Sequence, residues 1–140
     1  MEIMSDKKSL FQAIDAQRDT LCSMADQIFD NPEYEGEEVF ASGLLTDYLI
    51  ANGFDVQMGV GGFKTAFRAT YSHGEGGPVI GILCEYDALR NLGHGCGHHM
   101  QGPGCLGAAV ALKNLDTDKS FQLVVYGTPA EETFGSKVQM

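Results

Sequence analysis

The stretch "PVIGILCEY", residues 78 to 86, is an almost continuous apolar run preceded by the turn-forming segment "HGEGG". Runs of this kind mark strands covered on both faces, so this one is expected at the centre of an α/β sheet. Downstream, "FQLVVYGT", residues 121 to 128, reads as a second buried strand. Between them "CLGAAVALKNL" reads as a small-residue helix lying close against a sheet. Strand, helix and strand from Pro78 to Thr128 form a βαβ unit, for which a right-handed parallel crossover is expected.

Upstream the pattern changes. Ser5 is placed as an N-cap, and Leu10, Phe11, Ile14, Leu21, Met24, Ala25, Ile28 and Phe29 follow at mostly helical spacing. That helix should stop near "DNP", because Pro32 cannot continue it. A second helix is expected from Glu37 to Ala51, closed by "NGF" with Gly53 as a left-handed cap. "DVQMGV" and "TAFRATY" alternate as strands. The order is therefore α, α, β, β, β, loop, α, β, loop in a single domain spanning residues 1–140, with no linker or repeat. The fold class is α/β.

Composition narrows the function. The 140 residues are 44% hydrophobic and 20% charged, ordinary for a globular domain, and the net charge is −10. With no basic cluster to offset that charge, nucleic acid is excluded as a partner. No run reaches the ~18 apolar residues of a membrane span, and the N-terminus lacks a signal-peptide layout, so a cytoplasmic protein is expected. In that compartment the four cysteines point to packing, metal or catalysis, and not to disulfides.

Chemistry concentrates after the two buried strands, where open α/β sheets form their sites. "GHGCGHH", residues 93 to 99, holds three of the four histidines. If the segment is extended, His94, Cys96 and His98 project to one side, and His99 adds a fourth ligand-type residue. Thiolate with imidazole favours zinc or a similar transition metal. "GTPAEE" follows the second strand, and its adjacent Glu131 and Glu132 repel unless a cation neutralises one. One could bind metal while the other acts as a general base. Asp87, ending the first strand, could orient a ligand from behind or simply cap a turn.

Other candidates read as structural. "EYEGEE", residues 33 to 38, is expected to be a solvated helix start. His73 is expected to be exposed in a turn, and Cys22, Cys84 and Cys105 to pack. "GVGG" is too short to argue for phosphate binding.

"GILCEYDAL", "GHGCGHHMQG" and "VVYGTPAEE", in this order, resemble the amidohydrolases of the aminoacylase and carboxypeptidase metallopeptidase family, nearest the branch of aminobenzoyl-glutamate hydrolase and related dipeptidases. "NPEYEGEEVFASGLLTDYLIANGFDV" resembles that family's N-terminal helices. The resemblance implies the N-terminal part of a three-layer α/β/α catalytic domain with a mostly parallel central sheet. It implies two metal ions, zinc or manganese, and a water they activate to attack the amide of an N-acyl or aminoacyl amino acid. Cys96, His98 and Glu132 would be metal ligands and Glu131 the general base. His99 stands where many relatives carry an acidic or amide residue, so it and His94 are possible extra ligands.

The family's catalytic domain continues past the equivalent of Met140, adds a late histidine ligand, and carries a lid domain used in homo-oligomerisation. On that expectation these residues hold about one ion and are inactive alone. A non-catalytic metal-binding or partner-binding module is the alternative. A thiol redox role for Cys96 and Cys105 is weaker, since it leaves the paired glutamates idle. Arg68 and Arg90 are the arginines nearest the motifs, and so the candidates for meeting a substrate carboxylate.

Overall fold

The computed structural model describes residues 2–140, with side chains from Lys7 onward. Helices α1 (Glu2–Asp15) and α2 (Arg18–Asp30) replace the single long helix expected from the apolar spacing. Between them the Gln17 N–H bonds back to Ile14 at 3.0 Å, tightening the turn, and the Gln17 side chain donates to the Ala13 carbonyl at 2.8 Å. Tyr48 donates its hydroxyl to the same side chain, so the break is anchored on the next helix. Ser5 lies inside α1, not at its cap, and its side chain is outside the described residues.

α2 ends before Pro32, and α3 spans Val39–Ala51. The first free N–H groups of α3, those of Phe40 and Ala41, are both accepted by the Glu33 carboxylate at 2.9 Å. At its far end Gly53 takes the left-handed conformation (φ 78), and Phe54 N–H returns to Leu49 at 3.0 Å. No described helix is long and apolar enough to cross a membrane.

Four strands follow: β1 (Asp55–Met58), β2 (Phe67–His73), β3 (Val79–Cys84) and β4 (Phe121–Gly127), with α4 (His98–Lys113) between β3 and β4. They lie in the order β1-β2-β4-β3. β1 with β2 and β2 with β4 are antiparallel, while β3 and β4 run parallel across the βαβ unit, Ile82 opposite Val125. The sheet is thus mixed within an α/β fold.

β3 does not occupy the centre. β4 does, and β3 is the outer strand, with Val79 65% and Leu83 50% exposed. Register explains this. Ile80 and Ile82 align with Leu123 and Val125, whereas Val79 and Leu83 share the other face and are at least half exposed. An unbroken apolar run states that both faces can be buried; it does not supply the layer that buries them. The described residues contribute the sheet and the helical layer on one face.

The core lies between that face and α2, α3 and α4, around Ile28, Leu45, Leu49, Leu106 and Leu123, each 0% exposed. Each such side chain contributes about 1.5–3 kcal/mol by leaving water. α4 begins at His98, seven residues before the expected start at Cys105, and takes in Pro103 near its N-terminal end. Its glycines admit close neighbours: a Cβ on Gly102 would stand 3.2 Å from Leu45.

The parallel pairing sets the carboxyl ends of β3 and β4 side by side, and Thr128 N–H bonds the Cys84 carbonyl at 2.9 Å. Gly127, the last residue of β4, lies against Phe67, where a Cβ would come within 2.1 Å of the buried ring. Gly127→Ala is therefore expected to lower unfolding stability by about 1–3 kcal/mol in urea. Gly81→Ala, with nothing within 4 Å, should change it by less than about 0.5 kcal/mol. Equal midpoints for the two variants would show that the ring simply moves aside.

Candidate metal centre

Asp87 leaves the end of β3 almost fully buried, and its carboxylate faces two neighbours. His98 Nδ1 donates to Oδ1 at 2.9 Å, and the Glu132 backbone N–H donates to Oδ2 at 3.0 Å. Burial opposes the charge on Asp87, but these hydrogen bonds outweigh it and hold the carboxyl below its usual range. The same contact, against opposing burial, raises the affinity of His98 for its proton. One carboxylate thus connects the segment after β3, the start of α4 and the turn after β4.

Around it stand two groups of donors. Cys96 Sγ, a ring nitrogen of His98 and a Glu132 carboxylate oxygen lie within 4.8 Å of one another. Glu85, His98 and Glu131 form the second group on the same criterion. The adjacent glutamates therefore part, one to each group. Their turn is set by Ala130, which adopts a left-handed conformation (φ 53) unusual for a residue with a Cβ. Lys137 pairs with Glu131 at 3.3 Å and with Glu85, so a protein cation meets part of the acidic charge.

The histidine segment is not extended. Gly93 (φ 58) and Gly97 (φ 90) turn it, Gly97 N–H closing on the His94 carbonyl at 3.1 Å. His98 begins α4, while His94 turns away to lie 5.3 Å from the His99 ring and 6.4 Å from Phe29. His94 and His99 join neither donor group. Burial, and then the neighbouring His99, lower the proton affinity of His94, whose ring nitrogens have no well-formed hydrogen bond. The expectation that His94 lines one side with Cys96 and His98 is corrected: Cys96 and His98 meet, while the tight turns that glycine permits carry His94 away from them.

Cys105 donates to the Leu83 carbonyl at 3.1 Å and all four cysteines are free. His73 is half-buried rather than exposed: its Nε2 lies 3.0 Å from the Thr117 carbonyl, and its ring stacks on Phe121. Arg90 is paired with Glu35 at 2.6 Å and lies over Tyr34.

One residue of consequence departs from the solvated position that its acidic neighbours imply. Glu38 is completely buried. Its Oε1 accepts the N–H groups of Gly36 at 2.8 Å and Ala130 at 3.0 Å, and its Oε2 accepts the Thr65 hydroxyl at 3.0 Å. It holds the residue just before Glu131 in place. A signal existed, since Glu38 lies on the helical stripe of Ala41, Ser42, Leu45 and Leu49, all buried.

The donors suit a transition metal. Thiol, imidazole and carboxylate are zinc-type ligands, and with a carboxylate behind Nδ1 it is Nε2, 3.0 Å from Glu85 and 3.9 Å from Glu132, that would face an ion. Bond lengths of about 2.0–2.3 Å require the donor atoms to draw closer by rotamer adjustment. A groove of about 510 Å3 between α2 and α3, lined by Met24, Leu44 and Tyr48 among others, contains neither donor group. Chemistry, not concavity, locates the site.

No family model matches the chain. Among curated proteins it is 36% identical to the B subunit of p-aminobenzoyl-glutamate hydrolase from Escherichia coli strain K12, over 91% of this chain and 30% of that protein. It is 35% identical to Xaa-Arg dipeptidase of Mus musculus, over 96% and 34% respectively. Two solved structures share its fold. A protein from methicillin-resistant Staphylococcus aureus superposes with a TM-score of 0.79 at 20% identity, covering 94% of this chain and 38% of that one. A Bacillus subtilis protein, described as a dinuclear metal binding peptidase from M20 family, superposes with a TM-score of 0.66 at 21% identity, covering 84% and 36%.

By name the two curated relatives are a hydrolase subunit and a dipeptidase, and the two solved structures show that the chain shares their fold. The chain is similar in sequence to the N-terminal portion of p-aminobenzoyl-glutamate hydrolase (its B subunit) and of Xaa-Arg dipeptidase. It spans about a third of the length of either.

Two expectations follow from the geometry. Glu38→Ala strands two backbone N–H groups and a hydroxyl in the core, and should cost about 3 kcal/mol or more in urea unfolding. Zinc affinity should fall with it under folding conditions; wild-type affinity would mean the turn after β4 holds itself. Metal uptake should also depend on pH. His98 is raised mainly by Asp87, and Cys96 is raised by burial and then by Glu132, so both must lose protons that they hold more tightly than usual. Zinc association measured by titration calorimetry should therefore rise about tenfold or more per pH unit from pH 6 to 8. A flat profile would remove Cys96 and His98 from the ligand set.

Proposed function

We propose that residues 1–140 are the N-terminal part of the catalytic domain of a cytoplasmic amidohydrolase that cleaves N-acyl or aminoacyl amino acids. The observation that carries this reading is the convergence of Cys96, His98 and Glu132 within 4.8 Å at the carboxyl ends of two parallel strands. Asp87 braces two of the three from behind. The relatives' names support the substrate class, since both describe an amide-type bond with an amino acid on one side.

In this reading Cys96, His98 and Glu132 hold a divalent ion, zinc or manganese, with zinc favoured by the thiol. When bound, such an ion supplies Lewis acidity to an amide carbonyl and to the attacking water. Glu131, adjacent in sequence to Glu132 but directed away from it, would be the general base for the attacking water and would return the proton to the leaving amine. Asp87 fixes the His98 ring and keeps Nδ1 protonated. Arg90, committed to Glu35, is not assigned to a substrate carboxylate. A two-metal mechanism requires donors beyond these two overlapping groups, so the 140 residues alone are expected to be inactive. The corresponding proposal for partners is a homo-oligomeric parent protein assembled through a lid domain.

The test is metal content by elemental mass spectrometry on purified wild type, Cys96→Ser and Glu132→Gln. About one zinc per chain, lost in both variants, supports the reading. No zinc in the wild type, or full retention in both variants, would overturn it. Amide hydrolysis by the purified chain, abolished in Glu131→Gln, would overturn only the expected inactivity.

A further inference from the structure

The second donor group contains a charge that is already answered. Glu85 uses its carboxylate fully: Oε2 accepts Gln101 Nε2 at 3.0 Å and faces His98 Nε2 at 3.0 Å, while Oε1 accepts Lys137. Gln101 also accepts the Glu85 backbone N–H at 2.7 Å, which fixes that carboxylate in position. Lys137 reaches across to Glu131 at 3.3 Å. The ammonium therefore stands between the two carboxylates that a cation in this group would need.

His98 cannot serve both groups. Its Nδ1 is taken by Asp87, and the single remaining nitrogen lies 3.0 Å from Glu85 and 3.9 Å from Glu132. An ion held with Cys96 and Glu132 draws that nitrogen away from Glu85. Glu85 and Glu131 are then left with Lys137 as their only described counter-charge.

Lys137 is built into this place and not merely swept through it. It lies in a single 3-10 turn, Ser136–Val138. That turn is tied to the segment carrying the glutamates: buried Ser136 donates its hydroxyl to the Pro129 carbonyl, and Gly135 N–H bonds Ala130 at 3.0 Å. A cation tethered this way loses little freedom on pairing, so it competes well with an ion drawn from dilute solution.

Resting on the metal-site reading above, we propose that Lys137 is an internal counter-cation at Glu85 and Glu131, limiting this chain to one divalent ion, at Cys96, His98 and Glu132. Removing the ammonium while keeping the stem leaves two adjacent carboxylates without a counter-charge. Such a pair recruits a divalent ion.

The experiment is zinc stoichiometry, by equilibrium dialysis and elemental mass spectrometry, for the wild type, Lys137→Met and Lys137→Arg. Circular dichroism verifies the fold of each. About one zinc in the wild type and in Lys137→Arg, rising to about two in Lys137→Met, is the expected result. A zinc-dependent rise in melting temperature should also be larger for Lys137→Met than for the wild type. About one zinc in a folded Lys137→Met would overturn the proposal, as would two in the wild type. If Lys137→Met does not fold, Lys137→Gln replaces it under the same criterion. No zinc in the wild type would instead overturn the metal-site reading and this proposal with it.

Discussion

The Asp87 carboxylate is the interaction on which the candidate site depends. Three segments that are far apart in sequence, the end of β3, the start of α4 and the turn after β4, meet on its two oxygens. A buried carboxylate is costly unless hydrogen bonds replace the water it gives up. Here the same bonds that make its burial tolerable also orient the candidate ligands. Stability and placement of the ligands are thus one problem with one solution.

Glu38 applies the same physics one layer deeper. It is buried with no cationic partner among the described residues, and donors from three separate segments satisfy it. By holding the Ala130 N–H it supports a non-glycine residue in a left-handed conformation, a strain of about 1–2 kcal/mol that the surroundings must sustain. In a chain of net charge −10, acidic residues thus divide into three kinds. Some are solvated, some are buried as hydrogen-bond hubs, and some are gathered around Lys137 and the candidate ligands.

Much of this was legible in the residues. The βαβ order, the stop before Pro32, the Gly53 cap and the clustering of chemistry after β3 and β4 follow from local rules of turn, cap and periodicity. Other features were not. The break at Gln17 depends on Tyr48 reaching across from α3. The edge position of β3 follows from β4 pairing with β2 on its other side, which leaves β3 with β4 as its one described neighbour. His94 and His98 part because Gly93 and Gly97 turn the chain, and glycine spacing alone does not say whether a segment is extended or folded back.

The sequence by itself determined the α/β class, the resemblance to metal-dependent amidohydrolases, and the donor types Cys96, His98, Glu131 and Glu132. These are properties of local pattern and of side-chain chemistry, which the chain carries wherever it folds. Only the tertiary structure decided which candidate donors meet, that Asp87 braces His98 and Glu132 while Glu38 holds Ala130 beside them, that His94 and His99 stand apart, and that Lys137 lies between Glu85 and Glu131. Those are relations between segments brought together by packing, and no local pattern records a distance between residues that only the folded core makes neighbours.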